Sequence, residues 1–344
     1  MSTSIEPDPK LDLITYIGVG ISMASLVVCL IIEACVWKPV TRNNTSYMRH
    51  VSIVNIAVSL LIADIWFIIG ASIIEAGFHN STTIIPACTA ATFFIHFFYL
   101  SMFFWMLISA LLLLYRTVMV FSHMSKSIML AIGFSVGYGA PLIIAVVTIA
   151  STASSGGYIN GKQACWLNWT KTMALLAFVI PALAIVLINF LVLIVVLYKM
   201  LRRGVGDTSQ QNDRNAAMVI ARCLAILTPL FGLTWGLGVG TMVNPKNREI
   251  QIVFVLFNSL QGFFILMFGT LLDNKVRAAL ATRFSSIGSS SDRTRSTSSD
   301  AVAASSSTSA LDHLRRRIRR NAYNVSEAAP SSSSNAANES FINT

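Results

Sequence analysis

Apolar and polar residues in this chain fall in long blocks rather than at the short periods of a half-buried helix or strand. Seven apolar blocks are about 20 residues or longer, the length a helix needs to cross roughly 30 Å of hydrocarbon. They are Leu13–Val36, Ile53–Ile74, Cys88–Tyr115, Ile128–Ala150, Met173–Tyr198, Met218–Val243 and Ile250–Leu272. The fourth, fifth and seventh contain no Asp, Glu, Lys, Arg or His. The polar stretches between blocks run to about 6 to 22 residues, too short for a separate domain. The pattern predicts an all-α membrane protein, a seven-transmembrane-helix bundle over residues 13–272.

Flanking segments follow from the same pattern. Residues 1–12 read as an extracellular linker remnant, with Glu6, Asp8 and Asp12 against Lys10, the wrong sign for a signal peptide. Asp273–Phe284 reads as an amphipathic eighth helix along the inner leaflet, because Val276, Leu280 and Phe284 recur every fourth residue. Residues 285–344 are rich in Ser, Thr, Ala and Asn, have little with which to build a core, and are expected to be a disordered cytoplasmic tail. The tail's one charged run, Arg315 to Arg320, suits anionic membrane lipid.

Direction comes from basic residues near the ends of the spans. With the amino terminus outside, the inner face carries Lys38, Arg42, Arg49, Arg116, Lys126, Lys199, Arg202, Arg203, Arg214, Lys275, Arg277 and Arg283. The outer face carries only Lys10, Lys162, Lys171, Lys246 and Arg248. That imbalance predicts a multi-pass protein with its carboxyl terminus in the cytoplasm. Composition agrees. The 344 residues are 54% hydrophobic and only 12% charged, about half the charged share of a soluble domain. Soluble enzymes, DNA-binding domains and secreted modules fit poorly, and the net charge of +10 reads as topology rather than affinity for nucleic acid.

Candidate chemistry is sparse. Cys88 and Cys165 both fall on the oxidising outer side, where a bridge would pin the loop between spans four and five onto span three. Cys29, Cys35 and Cys223 are most simply apolar core residues. Pro141, Pro181 and Pro229 interrupt spans four, five and six, each removing a backbone hydrogen bond. Pro229 precedes Gly232, Trp235 and Gly236 and is the strongest candidate hinge. Asp64, mid-span, should face the bundle, and Asn55, Asn189 and Asn258 suit contacts between helices. Glu33 lies near the inner end and can reach the interface, so it is given no role. His96, Tyr99 and Phe103 share one helical face in span three, and Asn258 and Gln261 share one in span seven, where Gly262 permits close approach. No cofactor, metal site or set of catalytic groups is expected. Span seven has no lysine for a Schiff base, and no chain of ionisable residues runs through the spans.

Several stretches are more specific. Cys165-Trp166-Leu167, Gly137 to Pro141, Pro229 to Gly236 and Gln261-Gly262-Phe263 resemble the adhesion class of G-protein-coupled receptors. Thr45 to His50, Asn55 to Trp66, His96 to Ser101 and Trp105-Met106 resemble subfamily F of that class, and Tyr323 to Ser326 resembles the tail of its lung-epithelial member. The resemblance implies a receptor that passes the signal of a tethered peptide agonist to a heterotrimeric G protein. It implies Trp235 as the switch, Trp166 as a cap on the agonist pocket, and Tyr99, Phe103, Asn258 and Gln261 as its lining. Arg116, Lys126, Arg202, Arg203 and Arg214 would form the G-protein rim, and a phosphorylated tail would bind arrestin-type proteins. The chain departs from the class in lacking the proteolytic domain and full agonist peptide, of which Met1-Ser2 resembles the last two residues. Ile53 stands where relatives have a helix-two histidine and Ser109 where many carry Glu, so a differently built inner polar lock is expected. The rival readings are a signalling-dead scaffold or decoy form lacking its agonist, and a seven-helix channel or transporter.

Overall fold

In the computed structural model the described residues are 9–76, 81–118, 125–154, 156–159, 165–202 and 248–293, with 232, 234 and 236–238. The chain divides into two compact units, Met1–Ser286 and Ile287–Thr344. The tail from 294 onward, with its expected disorder, lies outside the described residues, as do Pro229, Trp235, Arg203, Arg214 and most of the predicted sixth span.

What is described is all-α apart from one antiparallel bridge between Ile159 and Leu167. The first three spans are single helices, Pro9–Val40, Asn44–Ala76 and Ser81–Val118, and the fifth is Leu176–Arg202. Each runs past its predicted block. The 38 residues of the third, at a rise of about 1.5 Å each, make it nearly twice as long as the hydrocarbon is thick. Apolar composition marks only the stretch inside hydrocarbon, whereas the helix continues until its backbone finds other partners. Five described helices are long and apolar enough to span, and a bent pair makes a sixth.

The third span is the centre. Of its most apolar window, 61% is buried, against 22–39% for the other four unbroken helices. Around it the exposed faces remain apolar, for example Ile143, Ile180 and Leu187, as expected where lipid replaces water.

Two interruptions shape the bundle. In the fourth span, Lys126–Phe134 passes through a π-helical turn, Ser135–Gly139, into Ala140–Thr152. Pro141 follows at once; it has no N–H to give, and the widened turn absorbs the mismatch. The turn also receives Trp105, which is wholly buried against Phe134 and Tyr138 at centroid distances of 5.2 and 5.7 Å. The Tyr138 hydroxyl donates to Asn55 across to the second span at 2.8 Å.

The seventh span breaks. Arg248–Ser259 and Gln261–Phe264 meet at Leu260 (φ −99, ψ 10), and the two parts of the span are bent by 50°. A second π-helical turn, Ile265–Leu271, completes it. Here the first span comes very close, so that a Cβ on Gly262 would sit 2.4 Å from the carbonyl oxygen of Ser22. The final helix, Asn274–Arg293, runs beyond the expected end at Phe284. Its Val276 and Ala279 pack on Val36 and Val40 of the first span with Leu280 at the edge, while Phe284 is 69% exposed.

Gly137 allows the Trp105 packing, since a Cβ there would lie 2.7 Å from Cε2 of the indole. Gly137→Ala is expected to destabilise the bundle by about 1–3 kcal/mol through overpacking, read as a lower Tm in detergent. An unchanged Tm would show that the indole moves aside freely.

Candidate functional site

The disulfide forms between Cys88 and Cys165, with Cα atoms 5.0 Å apart. It pins the outer loop to the third span, and the loop's own hydrogen bonds do the rest. Asn168, 4% exposed, donates from Nδ2 to Ile159 O at 3.0 Å and accepts from Lys171 N at 2.8 Å. The side chain that makes Asn168 a glycosylation sequon is thus committed inward. Tyr158 is buried beside it, and burial pushes its phenol well above the ordinary value.

This anchoring delivers Trp166 into the bundle. Its indole stands edge-on to Tyr99 at 6.3 Å and to Phe178 at 5.7 Å. Phe178, from the fifth span, also meets His96, Tyr99 and Phe103 at 6.1 to 6.3 Å. The aromatic stripe on the third span and the loop tryptophan are therefore brought together around one phenylalanine that the sequence pattern does not single out. Nothing local distinguishes Phe178 from the other 19 phenylalanines; its role comes from the partners that packing gives it.

Polar groups lie alongside. Gln261 Nε2 donates to Asn258 Oδ1 at 3.2 Å. Asp64 does face the bundle, at 5% exposure. Ser22 gives it a hydrogen bond at 3.0 Å. Trp235, expected on the same side, lies outside the described residues; its neighbour Thr234 is wholly buried, and a Cβ on Gly232 would meet Val186 of the fifth span at 2.7 Å.

At the end of the bundle where the sequence pattern places the cytoplasm, Glu33 does not reach the interface. It and His50 are both 0% exposed, joined by a 2.8 Å contact between Nδ1 and Oε2. Thr270 donates to the other Glu33 oxygen at 3.2 Å and lies 3.2 Å from Cys29 Sγ. One turn along, Arg49 forms a buried ion pair with Asp273 and donates to Gly269 O at 3.0 Å. These groups tie spans one and two to the end of span seven. Ile53 and Ser109 take no part in these contacts: Ile53 packs in the core, and the Ser109 hydroxyl donates to Trp105 O. Of the expected rim, Arg116 is half-buried and Lys126 stands 5.4 Å over the Tyr47 ring. The helix carrying Arg202 ends there.

Residues 8–265 match the family described as 7 transmembrane receptor (Secretin family). The chain belongs to that family. Within it, this receptor is an adhesion G-protein-coupled receptor of subfamily F. It is 48% identical over 295 residues to Adhesion G-protein coupled receptor F1 of Homo sapiens, covering 85% of this chain and 32% of the relative. It is 47% identical over 298 residues to Adhesion G protein-coupled receptor F5 of Rattus norvegicus (85% and 22%). To Adhesion G protein-coupled receptor F4 of Homo sapiens it is 50% identical over 288 residues (83% and 40%). The receptor thus spans well under half the length of these relatives, and the three identities are too alike to single one out. It is a multi-pass plasma-membrane protein.

The receptor's Arg49–Asp273 pair lends itself to a pH test. Burial alone would raise the Asp273 carboxyl, but the Arg49 guanidinium beside it, helped by the Lys275 N–H, holds it below the ordinary carboxylate value. A group depressed in the folded state stabilises it above the unfolded value and loses that contribution as pH falls through the folded one. Asp273→Asn strands a buried Arg49 and is expected to cost about 3–5 kcal/mol at neutral pH. Melting curves of the purified receptor should show the variant's deficit shrinking as the medium becomes acidic. A deficit constant down to strong acid would mean the ion pair is not its source.

Proposed function

We propose that this chain is the signalling part of an adhesion receptor, which passes the signal of an extracellular peptide agonist to a cytoplasmic heterotrimeric G protein. The amino terminus is outside and the carboxyl terminus in the cytoplasm, in keeping with the bias of basic residues. The observation that carries the reading is the Trp166–Tyr99–Phe178 cluster, held by the Cys88–Cys165 bridge. A short apolar peptide entering from outside, tethered in a longer parent, would wedge among Trp166, Tyr99, Phe103 and Trp235, with Asn258 and Gln261 taking its polar backbone.

Such a ligand can move the bundle only by binding its two arrangements unequally. The favoured arrangement bends span six at Pro229, where Gly232 and Gly236 soften the helix, and lets span seven swing about Gly262. The inner face then opens to the carboxyl-terminal helix of Gα, an amphipathic helix in a groove. Arg116, Lys126, Arg202, Arg203 and Arg214 form its basic rim. The final helix rests on anionic lipid, and phosphorylated Ser and Thr of the tail attract arrestin-type proteins.

The test is Gα nucleotide exchange in membranes holding this chain, with and without a synthetic copy of the subfamily's apolar agonist peptide. The expected result is peptide-stimulated exchange that falls by roughly tenfold or more in Trp235→Ala and in Cys88→Ser at equal surface expression. A well-expressed chain that drives no exchange on any Gα would move the scaffold reading ahead.

A further inference from the structure

We propose that the cleft between spans three and four, at the end of the bundle that carries the Cys88–Cys165 bridge, is a binding site for a membrane sterol. Such a site is independent of whether the chain signals.

The cleft has a volume of about 520 Å³, within the range of small-molecule sites. Ile85, Pro86, Thr89, Ala90, Phe93 and Phe94 of the third span line it, and Ile149 of the fourth closes one side. Positions 85, 89 and 93 recur every fourth residue, and so do 86, 90 and 94, so the lining is two neighbouring rows along one helix face. From 85 to 94 the face runs for about 14 Å. Ala90, small and exposed, stands between Pro86 and Phe94 in the second row. The far part of the wall is stiff. Phe94 stacks on Trp66 of the second span at 4.4 Å and meets Phe93 edge-on at 5.6 Å.

The cleft opens from the start of the apolar stretch Ile84–Val118, so lipid is what surrounds it, and the chemistry of the wall selects among lipids. The side chains that line it include no cation, which leaves a phosphate without a charged partner. Thr89 is the one polar side chain among them. Its hydroxyl proton goes to Ile85 O at 2.8 Å, and its oxygen is left to accept. Pro86 lies inside the helix and has no N–H for the carbonyl of Thr82, four residues back, which therefore loses its ladder partner. Both groups are acceptors, so a matching occupant brings a donor. Both also stand at the end of the cleft nearer water, while Ala90, Phe93 and Phe94 continue into hydrocarbon. The match is one hydroxyl on a rigid apolar body. An acyl chain has no donor and would lose rotamer freedom in lying along a fixed wall, whereas the fused rings of a sterol have little freedom to lose.

The test is photolabelling of the full chain in phosphatidylcholine nanodiscs with a diazirine analogue of cholesterol that keeps the hydroxyl. Label is expected within residues 85–94 and at Ile149, and unlabelled cholesterol should compete it away. The ketone analogue, which has no hydroxyl proton, should compete about fivefold more weakly, the worth of one hydrogen bond. Ala90→Phe fills the cleft from an exposed position and should lower labelling by about fivefold or more at an unchanged Tm. Thr89→Val keeps the shape, removes one acceptor and should narrow the gap between alcohol and ketone. Label that maps elsewhere, that cholesterol does not compete, or that a folded Ala90→Phe retains in full overturns the proposal. A ketone as effective as the alcohol would give the cleft to any apolar lipid, and loss of label on concentrating the chain would give it to a second copy; either result overturns it too. The comparison of alcohol with ketone uses the unmodified chain, so it is readable even if Ala90→Phe does not fold.

Discussion

Inside a bilayer a backbone N–H or C=O that leaves its helix has no water to turn to, and this bundle is organised by how it answers that demand. Where Pro141 cannot donate, the preceding turn widens into a π-helical one and admits Trp105. Where the seventh span breaks at Leu260, the first span supplies Ser22 to the stranded Gly262. Each remedy needs two helices almost in contact, so Gly137 and Gly262 stand at the points of approach. The interruptions are then contacts between helices as much as defects within them, and helix positions follow from them.

The two ends of the bundle solve different electrostatic problems. Near the cytoplasm, Arg49 and Asp273 compensate each other, and His50 shares a buried contact with Glu33. Isolated charges there would be costly, but pairing across spans one, two and seven turns them into ties. Towards the other end the carboxyl of Asp64 is answered by the hydroxyl of Ser22. Hydroxyls hold a carboxylate less firmly than a guanidinium does.

Much of this was legible in the sequence. Runs of apolar residues marked where the described membrane helices lie but not their ends, which differ from the blocks by up to nine residues, because hydrocarbon thickness sets a length that composition must satisfy and leaves the overhang free. Cys88 and Cys165 paired as expected, being the two cysteines on the oxidising side. Tyr99 and Phe103 could be placed on one face from their spacing alone, and Asp64 could be turned inward from the cost of the alternative. The break at Leu260 was hidden. Leucine carries no helix-breaking signal, and the acceptor that makes the break tolerable lies some 240 residues away in sequence. The same distance hid Arg49 with Asp273 and Thr270 with Glu33. Glu33 and His50 are only 17 apart, yet their meeting depends on the rotation of two helices about their axes, which apolar composition on all faces leaves undetermined.

That last point bears on why aromatic residues carry the outer site. The membrane helices here are apolar all round, so periodicity does not say which face looks inward. Orientation must come from features that only one rotation satisfies: a disulfide, a buried carboxylate, a glycine facing a backbone. The third span is fixed in this way, by Cys88 at one end, by Tyr99 against Trp166 and Phe178 midway and by Trp105 against the fourth span beyond. Once those three are set, His96, Tyr99 and Phe103 have no freedom to face lipid, and Phe178 meets them as a consequence. The aromatic stripe is thus positioned by constraints above, within and below it, and under the proposed function a ligand that shifted Tyr99 would work against a fixed frame rather than rotate the third span.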